Sequence, residues 1–206
     1  MTRIVAGVAR GRLLAVPPGK GTRPTSDRVR EAVFSALGHR LAGDWSDTAV
    51  LDCFAGSGAM ALEAVSRGAP AALLVERDKR AAAVARRNVD IVASGVAGDA
   101  QGTVQAVPQI RVATLDAWRL GERPVVAPWL PAVGLLVLDP PYADSDTQLA
   151  GLLAHLVAGD WLGPGAVAVV ERSARSAFAW PAGWVPDTQR RYGDTQIFLG
   201  FLAKSG

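Results

Sequence analysis

The sequence predicts an α/β protein built on a doubly wound, mostly parallel sheet. Three observations lead there. Short apolar runs alternate with Ala- and Leu-rich stretches of helical length from Val50 to about Val170, the pattern of strands covered on both faces by crossover helices. The run Val50-Leu51-Asp52 passes through a glycine turn, Gly56-Ser57-Gly58, straight into a helical stretch. A later run, Gly134-Leu135-Leu136-Val137-Leu138, stops at Asp139-Pro140-Pro141-Tyr142. Proline has no N–H to extend a sheet, so the chain turns there. That turn falls at the carboxyl end of a strand, where open α/β sheets bind their ligands.

The elements follow in order. Ile4 to Val16 reads as two short strands around Ala9 to Gly11, a β-hairpin. Pro17 to Gly21 is a loop. Thr25-Ser26-Asp27 offers helix-capping side chains, and Val29, Val33, Leu37 and Leu41 repeat at i+4 as an apolar stripe. Val50 to Asp52 is a strand, and Ala59 to Val65 a helix after the glycine turn. Ala71 to Val75 is a second strand, ended by Glu76, and Lys79 to Val92 a helix carrying Arg80, Arg86 and Arg87. Val112 to Leu115 closes a third apolar stretch at Asp116. After the Asp139 turn come a helix from Gln148 to Val157 and a strand from Gly165 to Val170, ended by Glu171. Phe178 to Val185 reads as irregular, and Ile197 to Leu202 as the last strand.

Composition narrows the class. A chain of 206 residues with 50% hydrophobic content buries a sizeable core. Its single cysteine, Cys53, forms no internal disulfide and reads as a small apolar filler, which suits a reducing cytoplasm. No apolar leader follows Met1 and no apolar stretch is long enough to span a bilayer, which points to a cytoplasmic protein with no membrane partner. His39 and His155 lack a second ligand at metal spacing, so no metal is expected. The net charge of +3 is uneven. The first 40 residues hold eight basic side chains and two acids, whereas the rest holds 14 basic and 17 acidic residues. A basic extension on a mildly acidic body is what phosphate-backbone binding requires, although charge on a hairpin also serves solubility.

The carboxyl ends of the strands carry the chemistry. The glycines let backbone pass close to a ligand, and the following helix offers free N–H groups. Asp52 and Glu76 are 24 positions apart, one β-α-β unit. An acid at the end of a second strand binds the paired ribose hydroxyls of a nucleoside cofactor; otherwise Glu76 is a solvated charge beside Arg77 and Asp78. NAD and S-adenosyl-L-methionine both suit a glycine turn plus an acid. The turn is D-x-F-x-G-x-G, without the third glycine of the dinucleotide fingerprint. Asp52 in the strand would repel a pyrophosphate but can hold an amino group, and Asp116 can accept from an adenine amine or be an ordinary loop aspartate. At the fourth strand's end, Asp139, the Pro140 carbonyl and the Tyr142 ring supply two acceptors and a stacking plate, suited to a planar substrate bearing an NH2 group. A plain strand-to-loop turn is the alternative. Ser57 and Cys53 lack a positioned base, which argues against nucleophilic catalysis.

These residues carry a resemblance. D-x-F-x-G-S-G at 52–58, V-E-R-D at 75–78, L-D-A at 115–117 and D-P-P-Y at 139–142 resemble a class I S-adenosylmethionine-dependent methyltransferase. The stretches Arg3 to Gly7, Arg10 to Leu14 and Arg23-Pro24-Thr25-Ser26-Asp27-Arg28-Val29-Arg30-Glu31 are similar to the RsmD family, which methylates the exocyclic N2 of one guanine in 16S ribosomal RNA. The likeness runs from about Arg3 to Leu202, while Val96 to Gln109 matches no pattern. It implies a Rossmann-like fold of seven strands with an antiparallel last strand. It further implies an RNA-binding extension over 1–24, a methyltransferase domain over 25–206, and 16S ribosomal RNA or a small-subunit particle as partner. The cofactor residues it implies are Asp52, Phe54, Gly56, Gly58, Glu76, Arg77, Asp116 and Ala117. Asp139, Pro140 and Tyr142 are the catalytic set, and Arg3, Arg10, Arg12, Lys20, Arg23 and Arg28 the RNA contacts. D-P-P-Y is shared with DNA adenine methyltransferases, which leaves an adenine-N6 enzyme and a non-catalytic RNA-binding module as rivals.

Overall fold

The computed structural model describes residues 1–18, 27–97, 107–122 and 129–204. Nine strands and four α-helices are found there. A two-stranded pair, β1 (Thr2–Arg3) and β2 (Leu13–Leu14), precedes α1 (Asp27–Arg40). Then follow β3 (Ala49–Asp52), α2 (Ala59–Ser66), β4 (Ala71–Val75), α3 (Lys79–Ala97) and β5 (Gln109–Ala113). A short 3-10 helix (Ala117–Glu122) leads on to β6 (Val133–Leu138), α4 (Asp146–Ala158), β7 (Leu162–Ser173), β8 (Trp184–Tyr192) and β9 (Thr195–Leu202). Thr25 and Ser26, expected to cap α1, lie outside the described residues, as does most of the stretch from Val96 to Gln109.

Seven strands form one sheet in the order β5-β4-β3-β6-β7-β9-β8. The first five are parallel, and β9 runs antiparallel between β7 and β8. This is the doubly wound, mostly parallel seven-stranded sheet expected from the sequence. Two apolar layers sandwich it. Val33, Phe34, Leu62, Val65, Ala85 and Val92 from α1, α2 and α3 pack on one face. Leu149, Leu152, Leu153 and Leu156 from α4 pack on the other with Ala117 and Leu120 of the 3-10 helix. Each leucine taken fully from water contributes about 1.5–3 kcal/mol.

Two expectations are corrected. The sequence left 178–185 irregular and gave no strand before Ile197, but β8 begins at Trp184. It is an edge strand whose residues are mostly exposed, with Pro186 at an irregularity in its pairing. An edge strand has no apolar alternation to announce it, and it tolerates proline. The amino-terminal hairpin pairs over two residues per strand, far less than Ile4 to Val16 suggested. The segment between is a turn seated on α2. Val5 and Ala6 N–H donate to the Glu63 carboxylate at 2.7 and 3.0 Å, and Val8 and Ala9 N–H bond Ser66 at 2.8 and 3.0 Å. Gly7 has φ +81°, and a Cβ there would lie 1.8 Å from the Ser66 carbonyl oxygen, so only glycine fits. Ile4, Ala9 and Leu14 are fully buried. Arg30, one of the positive charges at this end, is buried as well, bonded to Asp27 at 2.9 Å and 3.7 Å from Glu63.

Candidate active site

The glycine turn and its acids gather where β3, β4 and β5 stop. Asp52 is 2% exposed. The backbone N–H groups of Phe54 and Ala61 favour the charged form of its carboxyl. Burial pushes the carboxyl up to about 7, the two backbone hydrogen bonds pull it back, and the nearby charge of Glu76 adds to the rise. The turn is stitched to both neighbouring strands: Cys53 N–H donates to Val137 at 3.0 Å and Ala55 N–H to Val75 at 2.9 Å. Gly56 has φ +52° and open space where a side chain would stand, which leaves room for a ligand against the backbone. Gly58 has φ +80° for a different reason: a Cβ would meet Leu74 at 2.5 Å, so the glycine serves helix–strand packing. Glu76 accepts Gly56 N–H at 2.9 Å and Asp78 N–H at 2.7 Å, which ties the second strand's acid to the glycine turn. Arg77 is exposed beside it. Asp116 accepts Trp118 N–H at 3.2 Å, Ala117 is buried, and the Phe54 and Trp118 rings meet at 5.1 Å.

The Asp139 turn begins where β6 stops. Leu138 pairs with Val170, so Asp139 leaves β6 beside Glu171, while β7 runs on to Ser173 against β9. Asp52 pairs with Val137, two residues deeper on the same face. Withdrawal from water, then the charges of Glu171 and Asp52, push the Asp139 carboxyl well above the ordinary range, while Arg172 opposes them. Pro140 is buried. Tyr142 is 40% exposed, and its hydroxyl is 2.9 Å from Thr195 Oγ1 at the start of β9. The turn closes through Asp144 N–H to the Pro141 carbonyl at 2.9 Å. Ser145 then caps α4, its hydroxyl accepting Gln148 N–H at 3.1 Å.

Acids at the ends of β3, β4 and β6 therefore share one edge of the sheet with the glycine turn, and the Asp139 turn follows the strand next to β3. A buried carboxylate held part-way to protonation, open space at Gly56 and an aromatic rim at Phe54 and Trp118 fit a nucleoside bearing a cationic group. Sequence reasoning missed four residues here. Trp118 narrows the rim. Asn88, fully buried on α3, donates to the carbonyls of Ala15 and Ser57 at 2.9 and 2.8 Å and so joins the amino-terminal segment to the glycine turn. Thr195 and Arg172 hold the Asp139 turn. Arg172 carried a sequence signal: Glu171-Arg172 follows an apolar run just as Glu76-Arg77 does.

Arg10, Arg12 and Arg28 are exposed, and Arg3 is exposed with its Nε 3.3 Å from Asp27. Lys20 and Arg23 lie outside the described residues. A separate cleft of about 470 Å³, lined by Gly7, Phe34, His39, Trp45 and Arg67, opens at the amino ends of the strands, away from these acids. Among the described residues no group of three His, Cys, Asp or Glu side chains could hold a metal ion, and no helix is long and apolar enough to cross a membrane.

Comparison with known proteins decides the family. The model of the family described as Conserved hypothetical protein 95 matches residues 2–200. The chain belongs to this family. The Ribosomal RNA small subunit methyltransferase D of Haemophilus influenzae is 31% identical over 182 residues, covering 88% of this chain and 84% of that protein. Its namesake from Escherichia coli K12 is 46% identical over 99 residues, so the match spans about half of each, 48% of this chain and 46% of that protein. Among solved structures, the putative methyltransferase yhhF from Escherichia coli superposes with a TM-score of 0.73 at 29% identity, covering 98% of both chains. The family bears out the resemblance read from D-x-F-x-G-S-G and D-P-P-Y, and with it the Rossmann-like methyltransferase fold.

Proposed function

We propose that this protein transfers the methyl group of S-adenosyl-L-methionine to the exocyclic N2 of a guanine in the 16S RNA of the small ribosomal subunit. The observation that carries the reading is the pairing, on adjacent parallel strands, of an acid-flanked glycine turn with an Asp-Pro-Pro-Tyr turn. Family membership supports it, as do the names of the relatives. In this reading residues 1–24 are an RNA-binding extension, 25–206 are the methyltransferase domain, and the protein works in the cytoplasm on ribosomal RNA or a small-subunit particle.

The cofactor supplies a methyl group on a positively charged sulfur, an electrophile that needs no further activation. Asp52 holds the cofactor's amino group, Glu76 the ribose hydroxyls and Asp116 the adenine amine. Phe54, Gly56, Gly58, Arg77 and Ala117 complete the pocket. Asp139 and the Pro140 carbonyl accept the two N–H hydrogens of the guanine amine. That withdraws the nitrogen lone pair from the ring and aims it at the methyl carbon. Tyr142 stacks on the guanine, which is unpaired or flipped out of its helix to enter. As the methyl carbon passed from sulfur to nitrogen the C–S bond would break to leave a neutral thioether, and the proton released from the amine would go to Asp139 or to water. Arg3, Arg10, Arg12, Lys20, Arg23 and Arg28 hold the RNA backbone.

The test is transfer of tritium from labelled S-adenosyl-L-methionine to small-subunit RNA and particles lacking the modification, followed by digestion to nucleosides. Label in N2-methylguanosine is the expected result. Label in adenosine would assign the chain to another amine, and no label on any RNA or particle would favour the binding module.

A further inference from the structure

Arg172 is 5% exposed at its side chain, near the carboxyl end of β7, and its guanidinium is spent on one neighbourhood. Nε donates to the Asp146 carboxylate at 2.8 Å and the terminal nitrogens to the carbonyls of Pro141, at 3.3 Å, and Asp144. Asp146, the first residue of α4, is fixed in turn by the Ser176 hydroxyl at 2.9 Å and Ala177 N–H at 3.0 Å, both beyond the end of β7. One buried side chain thus binds three points of the segment that carries the Asp139 turn into α4. We propose that Arg172 is the positioning residue of this site: its planar fork sets the conformation of the Asp139-Pro140-Pro141-Tyr142 turn by holding Pro141, Asp144 and Asp146 together. The proposal rests on the amine-methylating reading above.

The fork is suited to this. Arginine presents rigidly spaced donors that match two carbonyls and a carboxylate at once, which lysine does not. The charge matters because the other groups acting on Asp139, Glu171 from β7 and Asp52 from β3, are both acidic. Without Arg172 nothing among them favours the ionised Asp139 that accepts from an amine.

Three variants and two kinds of readout test this. In the ligand-free protein, carbon-13 titration of the Asp139 carboxyl should move upward in Arg172→Met, since the cation that opposes the rise is lost. In Arg172→Lys the titration should stay near that of the wild type, because the charge remains. Amide exchange at Tyr142 and Asp144 should speed up in both. Asp146→Asn, which keeps the arginine, should loosen the turn with a smaller change in the Asp139 titration. On substrate RNA, single-turnover methylation by Arg172→Lys should fall by about tenfold to a hundredfold with cofactor affinity unchanged, the scale of an ångström of misplacement. If Arg172→Met does not fold, the lysine and Asp146 variants carry the test. Unaltered amide exchange in Arg172→Lys, or its undiminished single-turnover rate, would overturn the proposal. A wild-type protein that methylates no RNA would overturn the function on which it rests, and the titration and exchange readouts still decide what Arg172 does to the turn.

Discussion

The two ends of the site are fastened differently. At the glycine-turn end, Glu76 holds the backbone N–H groups of Gly56 and Asp78, Asp116 holds that of Trp118, and the turn bonds directly to the strands on either side. At the target end, the Asp139 turn depends on side chains from β7 and β9: Arg172 reaches Pro141 across 31 positions, and Thr195 reaches Tyr142 across 53. The glycine turn is thus held mainly by backbone N–H groups bonded to its neighbouring strands, and the Asp139 turn by side chains that β7 and β9 bring from further along the chain.

The sharpest test of that division is Asp139→Ala. It should depress single-turnover methylation by about 10²–10³-fold, the loss seen when one group aimed at the transition state is removed. Calorimetric affinity for S-adenosyl-L-methionine should stay as in the wild type. A parallel loss of cofactor affinity would break the separation of the two ends.

Next is Glu76→Ala, expected to weaken cofactor binding by about 1.5–3 kcal/mol as a charge-assisted hydrogen bond is lost. Because Glu76 also holds Gly56 N–H, Glu76→Gln should recover part of the loss by supplying one carbonyl acceptor. Unchanged affinity in the folded alanine variant would remove Glu76 from the pocket.

The third test is pH. Asp52 is pushed up to about 7 from an ordinary value of 3.8. The ligand-free fold binds that proton more tightly than the unfolded chain does. The associated stability is present below the unfolded value and is lost as pH rises through about 7. The amino group of the cofactor needs the carboxylate, so affinity should climb with pH through that same range, by at most about tenfold per unit for one linked proton. A flat calorimetric profile across neutrality would take Asp52 out of cofactor binding.

Smaller effects follow. Neutralising Arg10 and Arg12 should lower the slope of log RNA affinity against log salt by about 0.7–0.9 per phosphate contact removed, with no change in cofactor affinity. An unaltered slope would make these charges a matter of solubility. Tyr142→Phe keeps the ring and loses the hydroxyl with its bond to Thr195, so RNA affinity in a filter-binding assay should fall by about 0.5–1.5 kcal/mol. A loss as large as that of Tyr142→Ala would show that the hydroxyl, not the ring, is what the target pocket uses.

The residues legible in the sequence were those marked by a local pattern. Asp52, Glu76 and Asp139 stand at or just past the end of an apolar run, and glycine or proline marks the turns at 56–58 and 140–141. Arg172 read only as a charge after a strand, Asn88 as one polar residue on a helix, and Thr195 as part of a turn. Nothing local distinguishes a buried arginine from an exposed one: Arg30 belongs to the same basic stretch as Arg28, yet Arg30 is buried and Arg28 exposed.

The sequence by itself determined the alternation of strands and helices, the acids at the strand ends and the two turns, because hydrophobic periodicity and the backbone limits of glycine and proline act over a few residues. The tertiary structure alone decided that β8 forms the sheet's edge, that the amino-terminal turn sits on Glu63 and Ser66, and that Arg172 and Thr195 hold the Asp139 turn. Each of these depends on pairing groups far apart in the chain, as Val5 and Glu63 are at 58 positions. Which buried polar group finds which partner is set only when the layers close and water leaves.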